Sequence, residues 1–381
     1  MKVFITTTGG FPNGGANSNR ILCYAKGLQK YGIDCEVLTT SHRDVSNQDV
    51  GVKYLRFGND VTKRNTIFRL FNYIVSTIQL KNYIKSKATS EDVVLMYHNE
   101  LLQDFIILPL HKTIRIVREL CEIPNFDNRL SSKIARLIHY KLYFKKFSGF
   151  LAISMPLEKL AIEHKNTNSQ VLKVPILVDF DNYAIKTKSD IAKSLKQPYI
   201  FHSGSMTENK DGFIGMLETI ALVKRKGFLV HLYSTGSPDI IIKQKIKELD
   251  IESETHFLGF LEKNQLVDYQ NSSLAFIINK HNLLQNQFCF PTKLGEYLAT
   301  SRPVITTNIG ESQFYLKHGY SAYITHDGDV EGFAEYVIRL IKNPEEGERI
   351  GLNGYNVAKE CFSYEIYGKR IADFLHNIVH I

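Results

Sequence analysis

The stretch FPTKLGEYLATSRPV, residues 290–304, is the part of the sequence that predicts the fold most directly. Its first proline opens a helix at a position where the missing backbone N–H is no loss, and its second proline ends that helix. Leu294, Tyr297 and Leu298 have the i, i+3, i+4 spacing of a buried helical stripe. The apolar segment 304–307 is then predicted to be a strand. This helix–strand step is typical of an α/β protein.

Glu296 lies one turn into the predicted helix. Helical side chains lean toward the N-terminus, so its carboxylate reaches toward the open end. Free N–H groups and the helix dipole favour an anion such as phosphate there. A carboxylate beside that anion can accept two hydrogen bonds from the vicinal hydroxyls of a sugar. The combination predicts a nucleotide-sugar site, although a glutamate on a short helix is, taken alone, more often a solvated surface residue.

The segment PTKLGEYLA, residues 291–299, is followed by Arg302-Pro-Val and resembles the donor-site signature of GT4-type glycosyltransferases. That resemblance implies the GT-B fold, an α/β architecture of two facing Rossmann-like, doubly wound parallel sheets. It also implies a C-terminal helix that crosses back to the first domain. The resemblance covers nearly the whole chain, and its features fall in the expected order.

The length of 381 residues exceeds what one hydrophobic core usually supports, so two domains are expected. We predict an N-terminal acceptor domain at 1–180, a linker at 181–197, a C-terminal donor domain at 198–362 and a final helix at 363–381. Strands alternate with helical stretches in both halves, which indicates mostly parallel sheets.

The composition, 44% hydrophobic and 23% charged residues, is that of a soluble globular protein. No apolar run reaches the roughly 18–20 residues of a membrane span. The chain begins directly in a predicted strand, so no signal peptide is expected. Five scattered cysteines without a Cys-x-x-Cys pair favour a reducing cytosol over a disulfide framework or a zinc site. We therefore expect a cytoplasmic protein.

The net charge of +8 is unevenly distributed. Residues 1–199 contain 29 Lys/Arg and 17 Asp/Glu, a net charge of +12, whereas residues 200–381 carry a net charge of −4. Two segments, 62–87 and 128–157, contain no acidic residue. Their basic, tyrosine-rich and partly amphipathic character predicts peripheral binding to an anionic membrane surface on the inner face of the cell membrane, with solvated basic helices as the equal alternative. No nucleic-acid motif accompanies them, so nucleic acid is not an expected partner.

Two features of the first half point to the donor. Gly14, Gly15 and Ala16 stand directly before a predicted helix, where backbone N–H groups can approach an anion closely. The resemblance places this loop over the donor diphosphate. His98 ends the predicted strand 92–98, and the resemblance places it close to the donor sugar, although a lone histidine is more often structural.

Transfer of a sugar requires stabilisation of the departing diphosphate, by a metal or by fixed protein charges. The sequence has no Asp-x-Asp motif, so no metal and no other cofactor is expected. Lys210, the amides near Gly14 and Gly15, and the helix start at 291–293 are the predicted substitutes. It is the resemblance that implies a role for Lys210, since a loop lysine is, taken alone, more often solvated. We assign catalytic roles to His98, Lys210 and Glu296.

The predicted donor-binding residues share a position in a loop after a strand or at a helix start. They are Gly14, Gly15, Ala16, Gly204, Ser205, Gly236, Phe260, Pro291, Thr292, Lys293 and Glu296. Arg118 and Glu119, at the end of the predicted strand 114–119, are weaker candidates that could contact the acceptor or pair with each other.

Two residues depart from the family pattern: Ser205 replaces an arginine, and Phe288 replaces a second glutamate. The resemblance implies a retaining, metal-independent enzyme that moves a hexose from a UDP- or GDP-sugar to a polysaccharide or lipid-linked acceptor in bacterial surface glycan synthesis. Because of the departures, a catalytically silent GT-B protein that binds a nucleotide or a partner is the first alternative. A Rossmann oxidoreductase is the second, and the missing G-x-G-x-x-G fingerprint argues against it.

Overall fold

The computed structural model describes residues 1–12, 15–41, 49–61, 63–97, 100–123, 129–183, 194–195, 197–204 and 206–380. The chain divides into two compact units. The first contains Met1–Leu177 together with Tyr364–Ile381, and the second contains Val178–Ser363. Most of the predicted linker, 181–197, lies outside the described residues.

Among the described residues of the first unit, seven strands form one parallel sheet with the order β3-β2-β1-β4-β5-β6-β7. Most of these strands are almost entirely buried, because helices cover both faces of a parallel sheet. The strands are β1 (Lys2–Thr7), β2 (Asp34–Thr39), β3 (Lys53–Arg56), β4 (Val93–Met96), β5 (Arg115–Leu120), β6 (Gly149–Ala152) and β7 (Gln170–Lys173).

Helices connect these strands in the alternation that the sequence predicts. They are α1 (Ala16–Lys30), α2 (Thr66–Lys87), α3 (Leu101–Ile107), α4 (Leu130–Ile138) and α5 (Met155–His164), with shorter helical turns at Leu108–Lys112, His139–Tyr143 and Phe144–Lys146. Crossovers between parallel strands are right-handed. In this strand order, α1 therefore lies on one face of the sheet, and α2, α3 and α4 lie on the other.

The second unit repeats the architecture with a six-stranded parallel sheet, counted over its described residues, in the order β10-β9-β8-β11-β12-β13. The strands are β8 (Tyr199–His202), β9 (His231–Ser234), β10 (Thr255–Phe257), β11 (Ala275–Ile278), β12 (Val304–Thr307) and β13 (Tyr323–Thr325).

The helices of the second unit pack on both faces of that sheet around a core of leucine, isoleucine, valine and phenylalanine side chains. They are α6 (Glu208–Asp211), α7 (Phe213–Arg225), α8 (Ile240–Glu248), α9 (Lys263–Ser272), α10 (Leu284–Phe288), α11 (Thr292–Leu298), α12 (Val330–Lys342) and α13 (Pro344–Phe362), with 3₁₀ turns at Phe180–Asn182 and Gly310–Phe314.

The last helix, α14 (Tyr364–Val379), returns to the first unit and packs against α1, as predicted. Two glycines make the closest contact. A Cβ atom on Gly27 would lie 2.9 Å from the Cα atom of Gly368, and one on Gly368 would lie 2.6 Å from the carbonyl oxygen of Gly27. The helices meet this closely because neither residue has a side chain. Two α/β units, each built on one parallel sheet, and this returning helix confirm the predicted fold class.

None of the described helices combines the length and the apolar character that crossing a membrane requires.

Candidate functional site

The candidate site lies at the carboxyl edge of the second sheet, where neighbouring strands β9, β8 and β11 end side by side. Open parallel sheets bind their ligands at such an edge. A cavity of about 60 Å³ lies there, with room for a few water molecules. Its lining residues come from the strand ends and from the start of α11: His202, Asp211, Met216, Ile277, Ile278, Lys280, Pro291, Thr292 and Lys293.

Lys293, in the first turn of α11, is the central cation of this cavity. Its Nζ atom donates to Oδ1 of Asp211 at 2.5 Å and lies 3.2 Å from Nε2 of His202. The side chain of Asp211 is 7% exposed and that of Lys293 is 23% exposed. The ammonium group is therefore held in one place by a nearly buried carboxylate but still reaches solvent.

His202, the last residue of β8, supports Lys293 as a neutral imidazole. Burial, reinforced by the positive charge of Lys293, lowers the pKa of His202 to about 3. Because Nε2 accepts from the ammonium group, the proton must be on Nδ1, which lies 2.9 Å from Oγ of Ser234. The ring thus links the end of β9 to the lysine.

Tyr297 fixes the position of α11 against the sheet. Its hydroxyl accepts from the backbone N–H of Ser203 at 3.0 Å, and its ring stacks on Phe276 of β11 with a centroid distance of 4.0 Å. The tyrosine is completely buried. The predicted buried stripe of this helix is therefore correct, and it places Lys293 over the end of β8.

The helix is shorter than predicted. It ends at Leu298 rather than at Pro303. Ser301 has a φ of 58°, in the left-handed region that terminates helices, and the Thr300 hydroxyl donates to the carbonyl of Tyr297 at 2.6 Å. The chain has therefore already left the helix before the proline is reached.

Gly204, predicted to bind the donor, lies directly under the lysine. A Cβ atom at this position would lie 2.8 Å from Cε and 2.9 Å from Nζ of Lys293, and its φ is 121°. Its N–H donates to Oγ1 of Thr235 at 3.1 Å. Glycine is favoured here because L side chains rarely adopt this φ, and its lack of a side chain also lets the ammonium group approach the backbone.

The other predicted donor loops border the same edge. Gly236 follows β9, and its N–H donates to the carbonyl of Gly259 at 2.7 Å, which joins the loops after β9 and β10. Phe260, next to Gly259, is 88% exposed. Its ring is therefore available for contact with a ligand at this edge.

The remaining predicted residues of α11 lie together. Pro291 caps the helix, Thr292 begins it, and Glu296 is half-buried one turn later. Phe288, which departs from the family pattern, ends the preceding helix α10 and is also half-buried. Of the predicted set, the structure brings together Gly204, Pro291, Thr292 and Lys293 around the cavity.

Several predicted residues cannot be placed. Gly14, His98 and Ser205 lie outside the described residues, and so does the side chain of Lys210, whose backbone belongs to α6. Gly15 and Ala16 are described: Gly15 directly precedes α1, and Ala16 is its first residue. The roles assigned to all of these residues stay predictions.

Arg118 and Glu119 do not pair with each other, which was one of the two expectations for them. Arg118 pairs with Asp104 of α3 and lies over the ring of Phe147 at 4.6 Å. Both members of this ion pair are 1% exposed. Alternating strand residues point to opposite faces of a sheet, so adjacent residues are directed to different partners.

Glu119 faces the other side of the sheet and is completely buried. Its carboxylate accepts from Nε of Arg20 at 2.8 Å and from the hydroxyl of Tyr24 at 2.7 Å. Arg20 also donates to the carbonyls of Val174 and Pro175. This geometry favours a structural role for Glu119, as it does for Arg118. It gives no support to the predicted contact of either residue with the acceptor.

Residues not singled out from the sequence complete the site. Asn279, directly after β11, donates through Nδ2 to the carbonyl of Gly212 at 2.9 Å and so anchors the segment that carries Asp211. His281 bridges two carboxylates, with Nε2 2.8 Å from Glu208 and Nδ1 2.7 Å from Asp327. The available signal was their place close to the end of a strand, which His202 shares.

His281 behaves oppositely to His202. Partial burial opposes protonation, but the hydrogen bonds to Asp327 and Glu208 outweigh it and raise the pKa of His281 above its ordinary value. The ring ties together the segments after β8, β11 and β13, and its two carboxylate partners favour the protonated form.

Comparison with known proteins agrees with this geometry. Residues 197–343, most of the second unit, match the family model described as glycosyl transferases group 1. The capsular polysaccharide biosynthesis glycosyltransferase CapM of Staphylococcus aureus is 24% identical over 250 residues. That match covers 60% of this chain and 63% of the relative.

Two solved structures are similar over the full chain. Sucrose-phosphate synthase from Thermosynechococcus elongatus has a TM-score of 0.78 at 14% identity, with 100% of this chain and 99% of that chain covered. Anabaena Alr3699/HepE in complex with UDP and glucose has a TM-score of 0.74 at 16% identity, with 98% and 99% covered. At such identities the likeness supports the fold alone. The family match within the second unit, the sequence relative and the two-sheet architecture together support a GT4-type glycosyltransferase with the GT-B fold.

Proposed function

We propose that this chain transfers a hexose from a UDP- or GDP-sugar to a polysaccharide or lipid-linked acceptor in bacterial surface glycan synthesis. The observation that carries the proposal is the ammonium group of Lys293, held over Gly204 at the carboxyl edge of the second sheet. We propose further that the reaction retains the configuration of the sugar and needs no metal.

Lys293 supplies the charge that the leaving diphosphate needs. Negative charge develops on the diphosphate as the glycosidic bond breaks, and a fixed cation stabilises it without reorganising. A lysine ammonium is a compact charge suited to phosphate. Asp211 accepts a hydrogen bond from this ammonium group at 2.5 Å and so holds the lysine in position.

Glu296 acts on the sugar part of the donor. It follows Lys293 by three residues, so both side chains lie on neighbouring positions of the same short helix. The ammonium group addresses phosphate, and the carboxylate accepts hydrogen bonds from vicinal hydroxyls. This division of roles is what a nucleoside-diphosphate sugar requires. Lys210, His98, Gly14 and Gly15 remain further predicted contributors.

The relatives favour particular donors and acceptors. The structure of HepE was solved in complex with UDP and glucose, which supports UDP-glucose as the first donor to test. The name of CapM refers to capsular polysaccharide biosynthesis, which supports a surface glycan as acceptor. A GDP-sugar stays in the proposal as the second donor class.

The net charge of +12 in the first half supports a peripheral position on the inner face of the cell membrane. A lipid-linked acceptor would be presented at such a surface, and basic residues attract anionic headgroups.

The test is hydrolysis of a panel of UDP- and GDP-sugars, with EDTA present, by wild type, Glu296→Ala and the control Glu335→Ala. Glu335 is exposed on α12, away from the cavity lining. Release of UDP or GDP from one donor, lost in Glu296→Ala and kept in the control, supports the proposal. Activity that appears only after a divalent metal is added contradicts the metal-free mechanism.

A silent nucleotide binder is the alternative outcome. It would turn over no donor with or without candidate glycan acceptors, while UDP or GDP still raised the melting temperature of wild type but not of Glu296→Ala. If neither nucleotide changes the melting temperature, the assignment of the donor site is wrong.

A further inference from the structure

Helix α2 has its amphipathic pattern inverted. Its buried face consists mainly of Asn72, Ser76, Thr77, Leu80 and Ile84, and three of these five residues are polar. A stripe of large apolar residues with the helical spacing i, i+4, i+7, i+11 lies on the opposite face: Ile67, Phe71, Ile74 and Ile78. Ile67 is 81% exposed and Phe71 is 63% exposed. A solvated helix would have the reverse arrangement.

Helix α4 repeats this arrangement. Leu130, Ile134 and Leu137 have the spacing i, i+4, i+7, and all three are more than half exposed. Ala135 is the buried residue of this helix. Two separate helices of one unit therefore each present an ordered apolar stripe to the surface. We call these seven residues of α2 and α4 the apolar stripes.

The two helices belong to one layer. Both follow strand ends at the carboxyl edge of the first sheet, and both lie on the same face of it. Helix α3 lies between them: Glu100 at its start accepts from Tyr73 of α2 at 2.7 Å, and its Asp104 lies 3.4 Å from His139, directly after α4. Phe105 of α3 is also exposed. The apolar stripes thus border a common surface.

The surroundings of the apolar stripes are basic. The acid-free segments 62–87 and 128–157 together contain 12 Lys/Arg. Those near the stripes include Lys63, Arg64 and Arg69 beside the start of α2, and Arg129 and Lys133 on or next to α4, all exposed. Of the nearby acids on α3, Asp104 is buried against Arg118, and Glu100 is bonded to Tyr73.

We infer that the apolar stripes of α2 and α4 are a docking surface for an anionic lipid bilayer. Large apolar side chains at the surface, carried with cations on segments that contain no acidic residue, match an interface whose headgroups are negative and whose acyl region is apolar. The helices lie in the plane of the membrane rather than crossing it. This deepens the peripheral position proposed above and is independent of the donor chemistry.

The test is co-flotation of the full chain with vesicles of pure phosphatidylcholine, or with 30% phosphatidylglycerol added, at low and at raised salt. Wild type is expected to bind the anionic vesicles, and raised salt is expected to weaken this binding. Phe71→Ser combined with Ile134→Ser is expected to weaken partitioning at least tenfold, because each substitution removes a large inserted side chain. Lys133→Gln is expected to weaken it about fivefold.

The matched control is Ile240→Ser with Ile241→Ser on α8 of the second unit. These residues are 71% and 60% exposed, and Lys243, Lys245 and Lys247 follow them on the same helix. This control is expected to bind vesicles as wild type does. Melting temperatures and donor hydrolysis without vesicles are measured on every variant, so that a misfolded variant or a failure of the donor proposal is recognised separately.

Three results overturn the inference: no binding of wild type to anionic vesicles, equal binding to uncharged vesicles, or unchanged binding of the Phe71→Ser, Ile134→Ser variant. A dimer in solution that this variant dissociates, without vesicle binding by wild type, assigns the surface to a second copy of the chain instead.

Discussion

The ammonium group of Lys293 and the carboxylate of Asp211 form an ion pair at 2.5 Å between the start of α11 and the end of α6. The carboxylate is nearly buried, whereas the lysine still reaches solvent. A buried charge is tolerated only with a partner, so the pair holds the lysine in place as long as no anion competes. A donor diphosphate bound here, as proposed above, would share the lysine with Asp211.

Lys293→Met is therefore expected to reduce kcat/KM for donor hydrolysis by about a hundredfold, the usual effect of removing one group that stabilises developing negative charge. Lys247→Met on α8, where the lysine is exposed, is the matched control and is expected to leave the rate unchanged. Steady-state release of UDP or GDP is the measurement. Equal rates in the two variants would assign Lys293 a structural role only.

Gly204→Ala tests the close approach of the lysine to the backbone. The added methyl group would meet Cε and Nζ of Lys293 and would also strain a φ of 121°. The expected result is a loss of about 1–3 kcal/mol in the free energy of unfolding, together with loss of nucleotide binding. Urea unfolding and the shift of melting temperature by UDP or GDP are the measurements.

Gly227→Ala distinguishes the effect of backbone strain from the effect of the contact between residue 204 and Lys293. Gly227 has a φ of 81°, but a Cβ atom there has no described neighbour within 4 Å. It is expected to lower stability without changing the response to nucleotide. If both variants keep the full nucleotide response, the contact between Gly204 and Lys293 is irrelevant to binding.

Local patterns predicted the fold well. The segment 304–307 was expected to be a strand and is observed with the same bounds, as β12 (Val304–Thr307). The strands were recognisable because a strand buried on both faces is a short continuous apolar run. The end of α11 was missed because a serine in a left-handed conformation, Ser301, gives no such signal.

The site was predicted only in part, since its contacts join residues distant in sequence. Lys293 and Asp211 are 82 positions apart, and Arg20 and Glu119 are 99 apart. The sequence suggested a role for Lys293 through its motif but gave no means of finding its partner. The reasoning that selected His98, a histidine at a strand end, applies equally to His202, and only the three-dimensional structure shows which groups His202 contacts.

His281 provides a pH-dependent prediction. Its pKa is raised in the folded protein by Asp327 and Glu208, so protonated His281 stabilises the fold. This contribution is complete below the unfolded-state pKa and is lost as the pH rises through the folded-state pKa. His281→Gln is therefore expected to lower the free energy of unfolding at pH 5.5, by up to about 1 kcal/mol for such a partly exposed group, and to have less effect at pH 8.5. Equal losses at both pH values would show that the charge of His281 does not contribute.

A substitution at Glu119 distinguishes a structural role of this residue from a role in binding the acceptor. Replacing it with glutamine leaves the buried guanidinium of Arg20 without a counter-charge, and such a loss typically destabilises by about 3–5 kcal/mol. Glu119→Gln is therefore expected to lower the free energy of unfolding strongly, whereas Glu163→Gln, at an exposed position on α5, is expected to change it by less than about 0.5 kcal/mol. Urea unfolding measures both. If Glu119→Gln instead kept its stability and raised only the KM for the acceptor, the buried ion pair would be incidental and the acceptor assignment from the sequence would be correct.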